Sequence, residues 1–240
     1  MLFRSVSQSR YEATTGSFIA AIAFATGAVT EASPTGTMNV KNNIIVSNES
    51  AMKVWGIRRV GTGGTFTSDN NVIFATTSNN WIGFYNGTDI FDWALWRTAS
   101  GQDANSKSVD VNFTNAATGD LSLTGASIGD WQLAVPKQAT VLTDIDGSIR
   151  ADLTYVGADE ATTDLTTVAK QFKVTVPKGT SKVYVAGSFT GKNWEITDPF
   201  ALKATGSANE FGAILPCVDG VEYKYLCEKG KVITRKVLVQ

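Results

Sequence analysis

The sequence predicts an all-β protein of two domains joined by a short linker. Residues 36–157 consist of short Val, Ile, Leu and Phe runs between Asn, Thr, Ser and Gly, with no sustained helical period. After residue 170 the pattern changes to strict apolar–polar alternation, as in Phe172–Val176. Residues 160–170 contain neither Pro nor Gly and fit a linker or a short helix. We therefore expect domains at 1–159 and 171–240.

Composition narrows the classes of partner. The chain has 240 residues, 43% of them hydrophobic, which is enough to bury a core. The 21 Lys and Arg residues nearly balance the 22 Asp and Glu residues, so no charge excess favours nucleic acid or an anionic membrane surface. The longest apolar segment, Phe18–Val29, is too short to span a bilayer.

The absence of histidine restricts the chemistry. A Ser-His-Asp triad, a Cys-His nucleophile and a histidine zinc site are excluded. Asp144 and Asp146 resemble the start of a calcium loop, but the later ligand positions are missing. A turn held by Asp side-chain hydrogen bonds fits better. We assign no catalytic set, and expect no cofactor or metal and no enzymatic activity.

The two cysteines are too few for a disulfide scaffold. Asp219–Gly220 predicts a two-residue hairpin turn. In that register Cys217 lies opposite Glu222 and Cys227 opposite Gly212, which places the thiols on opposite faces. We expect free, half-buried thiols, with a disulfide as the alternative.

The N-terminal segment Phe18–Val29 has two interpretations. It is about as long as the apolar core of a secretion signal, and Arg4 and Arg10 precede it. Against a signal stand Glu12 and the polar residues just before the apolar run. The alternation of its first residues fits a buried strand better.

Two segments of the first domain resemble each other. Val40–Val46 and Ser68–Phe74 each place an Asn-Asn pair directly before three apolar residues. In stacked coils, such Asn residues can occupy left-handed corners and hydrogen-bond the next coil. An antiparallel sandwich with two Asn-rich turns explains the pattern equally well.

A resemblance favours the stacked coils. The elements of residues 112–160 that carry it are Gly119–Gly129, Thr143–Gly147, Arg150–Asp152 and Val156–Glu160. In this order they resemble the closing segment of bacterial right-handed parallel β-helix proteins of the pectate-lyase-like and chondroitinase-like families. The resemblance implies a truncated right-handed parallel β-helix of which only the last coils are present.

The second domain also resembles a known family. Val174–Pro177, Val183–Trp194 and Glu222–Tyr225 are similar to starch-binding and glycogen-binding modules, especially those of gut-bacterial outer-membrane glycan-capture proteins. The resemblance implies an immunoglobulin-like β-sandwich that binds α-glucan on aromatic side chains.

Carried over by position, the resemblance makes Trp194 the sugar platform, with Lys192 and Asn193 as polar neighbours. An indole in a polar, Gly-rich loop is costly to expose unless it meets a flat apolar partner. The alternative is that Trp194 plugs the end of the core. Residues 227–233 lack the second aromatic that strong starch binders carry there, so we expect weak binding.

The first domain contains a dense group of aromatic residues, which are Trp81, Phe84, Tyr85, Phe91, Trp93 and Trp96. Residues 91–95 alternate like a strand, so we expect most of the rings in the core or at an inter-domain contact. A sugar-binding groove is the alternative. Lys53, Arg58 and Arg59 could imitate the charges of a polysaccharide lyase, but ordinary surface charge explains them as well.

Together these observations predict a non-catalytic carbohydrate-binding or carbohydrate-associated protein. Its partner would be a polysaccharide or oligosaccharide, and its location the outside, the surface or the periplasm of a bacterial cell. The alternative is a β-helix polysaccharide lyase or glycoside hydrolase acting on uronate-containing glycans.

Overall fold

The structure, a computed structural model, is predominantly β. It describes residues 5–8, 18–24, 36–50, 52–78, 80–189, 192–196, 200–217, 220–229 and 232–238. These residues contain many short strands and one α-helix. The all-β prediction is therefore confirmed at this level.

The chain divides into two compact units. The first comprises residues 1–128, 138–150 and 155–162, and the second comprises 129–137, 151–154 and 163–240. The last change of unit falls inside the predicted linker, where Leu165–Thr167 form one 3-10 turn. Leu165 is buried, so this segment is part of a packed unit.

The first unit is built mainly from parallel strands. In chain order its elements are β1 (Ser5–Gln8), β2 (Phe18–Phe24), β3 (Thr37–Lys41), β4 (Ile44–Ser47), β5 (Lys53–Arg59), β6 (Thr65–Asp69), β7 (Val72–Ala75), β8 (Asn80–Tyr85), β9 (Thr88–Ile90), α1 (Trp93–Ser100), β10 (Phe113–Asn115) and β11 (Asp120–Leu123). Three parallel ladders run β1-β4-β7, β2-β5-β8 and β3-β6, while β9 and the β10-β11 pair add antiparallel contacts.

The two Asn-Asn segments lie side by side. Strands β4 and β7 pair in parallel, with Ile44 opposite Val72. Asn42 and Asn70, the first Asn of each pair, have φ angles of 55° and 57°. The predicted left-handed corners are therefore confirmed, and the antiparallel alternative is wrong for these segments.

Strand β2 occupies part of the apolar N-terminal run. It pairs in parallel with β5, and Ile22 is buried in the core of the first unit. The strand interpretation is confirmed for Phe18–Phe24, and residues 25–29 lie outside the described residues.

Side chains along the paired strands β2, β5 and β8 do not alternate regularly between the two faces of the ladder at one level. The paired positions step from Trp55–Trp81 directly to Ile57–Gly83, so each strand skips one residue. A Cβ added to Gly83 would lie 2.5 Å from the Trp96 ring, so this position needs glycine for that ring to pack. The skip separates Ile57, which joins the main core cluster of the first unit, from Trp55, which packs in a second cluster with Val60 and Phe84.

Helix α1 corrects the strand predicted for residues 91–95. The Asp92 carboxylate accepts a hydrogen bond from Leu95 N, and Gly101 closes the helix at a φ of 66°. The six aromatic residues of the dense group in the first domain differ in exposure, since Trp96 is fully buried while Phe91 is 64% exposed. The caps therefore outweigh the strand-like alternation.

The second unit centres on an antiparallel sheet. In chain order, β12 (Ala134–Pro136) and β13 (Leu153–Tyr155) form a small pair, followed by β14 (Ala169–Thr175), β15 (Lys182–Phe189), β16 (Lys192–Asn193), β17 (Ala201–Ala204), β18 (Glu210–Pro216), β19 (Tyr223–Lys229) and β20 (Val232–Leu238). The seven-stranded sheet has the order β14-β18-β17-β15-β19-β20, with β16 beside β15.

Strand β14 faces β15 and β19 across one core. The Phe172 ring of β14 lies 5.7 Å from Phe189 of β15 and 4.9 Å from Tyr223 of β19. The Tyr225 hydroxyl donates to the Lys173 carbonyl at 3.1 Å. These contacts join strands that are not neighbours in the sheet.

The predicted hairpin between the cysteines is wrong. Strand β18 pairs with β14 and β17, while β19 pairs with β15 and β20, so the edges that a hairpin needs are already occupied. Both Cys217 and Cys227 pack on the same core cluster, which also corrects their placement on opposite faces. Cys217 is buried and Cys227 is partly buried.

Candidate functional site

The predicted sugar-binding residues lie on one short hairpin of the second unit. Strand β15 turns back into β16, which places Lys192 opposite Phe189. The Trp194 N–H donates to the Gly187 carbonyl at 2.7 Å and fixes the end of the hairpin. A Cβ on Gly187 would lie 2.3 Å from the Glu222 carbonyl oxygen, so only glycine allows this close approach of β15 and β19.

Trp194 is exposed and held in an unfavourable backbone conformation. Its side chain is 40% exposed, so the alternative that it plugs the core is wrong. Its φ of 58° lies in the left-handed region, which costs a bulky L-residue about 1–2 kcal/mol. Trp194 therefore combines an exposed indole with a strained backbone.

Lys224 joins Trp194 and was missed in the sequence. It lies on β19 directly opposite Ala186 of β15, and its Nζ lies 4.8 Å from the centroid of the indole ring. This is a cation–π contact, which restrains the ring and places a hydrogen-bond donor beside it. The two residues are thirty positions apart, so only the pairing of β15 with β19 reveals the contact.

Lys192 and Asn193 share the Trp194 hairpin, but their side chains lie outside the described part of the chain. Another apolar side chain close in sequence is Ile196, which is also exposed. Of the predicted trio, the structure therefore describes one side chain and the backbone positions of the other two.

A second aromatic surface lies on the first unit, where Phe91 is exposed, Trp81 is partly exposed, and Trp55 and Phe84 are buried. Trp55 and Phe84 pack at 4.7 Å between ring centroids, and Trp81 contacts the exposed Phe91 edge-on at 6.0 Å. Strands β5 and β8 supply three of these rings because of the shared skip in their alternation. We call Trp55, Trp81, Phe84 and Phe91 the aromatic face.

Three charged side chains contact the aromatic face, and these are Lys53, Asp89 and Arg58. The Asp89 carboxylate accepts from Lys53 Nζ at 2.6 Å and from Trp55 Nε1 at 2.7 Å. The Arg58 guanidinium lies over the rings of Trp55 and Phe84 at 5.8 and 5.4 Å.

Arg59 points away from this surface. It is buried, and its guanidinium donates to the carbonyls of Val60 and Gly63. The three cations considered for lyase chemistry therefore do not converge on one point.

The Asn-Asn segments form a buried polar ladder rather than a site. Asn43 donates to the Asn71 side-chain oxygen through both its backbone N and its Nδ2, at 3.1 and 2.9 Å. Asn71 Nδ2 donates in turn to the Asp103 carboxylate at 2.9 Å. Trp96 Nε1 and the Ser106 hydroxyl also donate to this carboxylate, at 2.7 and 2.5 Å. Burial raises the pKa of Asp103, and these hydrogen bonds oppose the increase only partly.

The motif elements of residues 143–160 meet in one hydrogen-bonded cluster. Asp144 Oδ1 accepts from the backbone N of Asp146 and Ser148, as the predicted turn requires. The buried Arg150 donates to the Glu160 carboxylate at 2.5 Å and to the backbone carbonyls of Thr143, Tyr155 and Gly157. The cluster is structural, because its charged groups are engaged with one another and with the backbone.

Among the residues that the structure describes, no three acidic or thiol side chains are arranged to hold a metal ion. Nor does any helix within the described ranges have the length and hydropathy needed to cross a bilayer. Comparison of the chain with protein-family models, curated proteins and solved structures finds no match.

Proposed function

We propose that the chain is a non-catalytic, exported glycan-binding protein that contacts α-glucan through Trp194. The observation that supports this is the strained, exposed indole at the end of the β15-β16 hairpin. Sugar rings present flat apolar faces that stack on such rings, and polar neighbours can bond their hydroxyls. Lys224 supplies one such donor at the ring.

The proposal includes an architecture for each unit. The first would be the last coils of a right-handed parallel β-helix, supported by the three parallel ladders and by the right-handed crossovers that parallel strands favour. The second would be an immunoglobulin-like β-sandwich, supported by the core between β14 and the strands β15 and β19. Export to the bacterial surface or periplasm rests on the two family resemblances.

A lyase or hydrolase receives less support. Lys53 is paired with Asp89, Arg58 stacks on rings and Arg59 bonds buried carbonyls. Such residues are poorly placed to abstract a proton, because each already serves another group. Incubation with polygalacturonate should give no rise in the ultraviolet absorbance of unsaturated uronates, and a steady rise would establish the enzyme instead.

Calorimetric titration of the full chain with maltoheptaose tests the proposal. We expect weak binding, with a Kd on the order of 1 mM, because a single ring supplies the stacking area. Trp194→Ala should abolish the heat, and the matched control Ile196→Ala, which removes another exposed apolar side chain nearby, should retain it. No heat with the wild type, or equal heat with Trp194→Ala, would refute the proposed site.

A further inference from the structure

The aromatic face of the first unit combines exposed rings with a polar pair of opposite sign. Phe91 is largely exposed and stands edge-on to Trp81, which is half-buried. Lys53 Nζ lies 5.8 Å from the Trp81 ring centroid and 2.6 Å from the Asp89 carboxylate. Apolar rings and partly exposed charges thus lie within the width of one small ligand.

We propose that this surface is a second glycan-binding site, which takes a neutral pyranose chain. The site extends the proposed function to the first unit but does not depend on Trp194, which lies on the second. A sugar ring would stack on Phe91 and Trp81, and neighbouring hydroxyls on that ring would bond Lys53 and Asp89.

The hydrogen-bonding capacity of the pair matches a vicinal diol. An ammonium has three donors, and one of those on Lys53 is directed at Asp89. A carboxylate has about four acceptor positions, of which the Lys53 and Trp55 bonds use two. One hydroxyl can therefore accept from Lys53 while its neighbour donates to Asp89, as neutral sugars require.

Hydrogen bonds among Trp55, Asp89 and Lys53 hold the Lys53–Asp89 pair in place before a ligand binds. Trp55 is buried, and its indole N–H fixes Asp89, which in turn fixes Lys53. A preorganised pair loses little side-chain entropy on binding. Asp89 belongs to β9, which pairs directly with β8, so Trp81 and the carboxylate lie on one sheet, and Phe91 follows the last residue of β9.

Charge argues against other partners. The centres of protein–protein interfaces are depleted in Lys and Asp, yet here such a pair lies beside the exposed rings. Asp89 neutralises Lys53, the cation nearest the Trp81 ring, and this weakens attraction for uronates and phosphates there. The other cation of the face, Arg58, lies over the rings of the buried Trp55 and Phe84 instead. A neutral glycan fits these features better than an acidic polymer, a nucleic acid or a protein.

The test uses the full chain with Trp194→Ala, so that the proposed α-glucan site is silent. The probes are cellohexaose, xylohexaose and mannohexaose as neutral glycans, and polygalacturonate as the acidic one. Saturation-transfer NMR detects sugar protons in contact with rings, and calorimetry gives the affinity. We expect at least one neutral oligosaccharide to bind.

Variants then locate the site. Phe91→Ser, at an exposed position, should weaken that binding about tenfold, and Lys53→Met, which keeps the apolar stem, should weaken it by about threefold or more. Leu95→Ala removes a similarly exposed apolar side chain from α1 and should change the affinity by less than about twofold. Circular dichroism melts of all three should agree with the parent.

Several results would overturn the inference. These are no binding to any neutral probe, binding to polygalacturonate alone, or equal affinities for Phe91→Ser and Leu95→Ala. Concentration-dependent self-association that Phe91→Ser abolishes would assign the surface to a protein contact instead. Failure of the α-glucan proposal would appear separately, as equal maltoheptaose binding by the wild type and by Trp194→Ala.

Discussion

The two units bury different kinds of side chain. The first places Asn43, Asn71 and Asp103 in its interior, where they form a continuous hydrogen-bonded ladder. The second fills its main core cluster with apolar and aromatic residues, such as Phe172 and Val185. In parallel strands, equivalent positions lie directly beside each other, and an amide can both donate to and accept from another amide. Parallel stacking therefore allows a buried polar ladder that also fixes the register.

This difference makes the first unit more sensitive to small polar changes. A buried donor or acceptor that loses its partner costs about 1–3 kcal/mol, whereas apolar truncation costs energy in proportion to the volume removed. The comparison predicts larger losses for ladder residues than for core residues of similar size in the second unit.

The largest loss is expected for Asn71→Ala. The substitution removes acceptors for Asn43 and donors to Asp103 and the Val40 carbonyl, all of which stay buried. We expect a decrease in the free energy of unfolding of the first unit of roughly 3–5 kcal/mol. The control Val185→Ala in the second unit should cost about 2 kcal/mol. Hydrogen exchange read separately on peptides of each unit measures both, and a smaller effect for Asn71→Ala would reverse the comparison.

Arg150→Met should have the next largest effect. It leaves Glu160 without its buried cation. The carbonyls of Tyr155 and Gly157 also lose the Arg150 donors, because a methionine side chain has no hydrogen-bond donor. We expect a loss of about 3 kcal/mol in urea unfolding of the full chain. Lys137→Met, which breaks the ion pair with the fully exposed Asp152, should change stability by less than about 1 kcal/mol. Equal effects for the two variants would mean that the buried cluster contributes no more than a surface pair.

Asp103 should make the first unit sensitive to pH. Burial raises its pKa, so the folded state holds this proton more tightly than the unfolded chain does. Its contribution to stability is therefore fully present below the unfolded pKa and is lost as pH rises through the folded pKa. Asp103→Asn should reduce this dependence in melts across acidic pH. It should also cost about 2 kcal/mol near neutrality, because an amide nitrogen would face the Trp96 donor. An unchanged pH profile would show that Asp103 does not titrate in this range.

Tyr225→Phe tests the corresponding polar contact of the second unit. Its hydroxyl bonds the Lys173 carbonyl across the core, and burial raises the pKa of Tyr225 to about 12. Loss of one neutral hydrogen bond should cost about 1 kcal/mol, less than either ladder variant, in the same exchange measurement. A loss above about 3 kcal/mol would mean that the second unit also depends on buried polar bonds.

Local chemistry made part of the fold predictable from sequence. The Asn-Asn corners and the Asp144 turn depend on neighbouring residues, and the structure has them as expected. The alternating segment Phe172–Val176 also lies in a strand, β14, which ends one residue earlier.

The errors arise where distant strands compete. Asp219–Gly220 carries a strong hairpin signal, but β18 and β19 each have other partners on both edges. The Lys224 contact with Trp194 likewise depends on the pairing of β15 with β19. For α1, in contrast, the capping residues Asp92 and Gly101 were visible in the sequence and could have revealed the helix.

The role of Trp194 is tested most directly by Trp194→Asn, with thermal melting and maltoheptaose titration measured on the same samples. Asparagine accepts the left-handed backbone at φ 58° more readily than tryptophan does, and the ring is exposed. If the ring serves binding, the melting temperature should stay the same or rise while the heat of maltoheptaose binding disappears. A fall in stability of roughly 3–5 kcal/mol, with or without loss of binding, would show that the indole serves packing and would contradict the proposed platform.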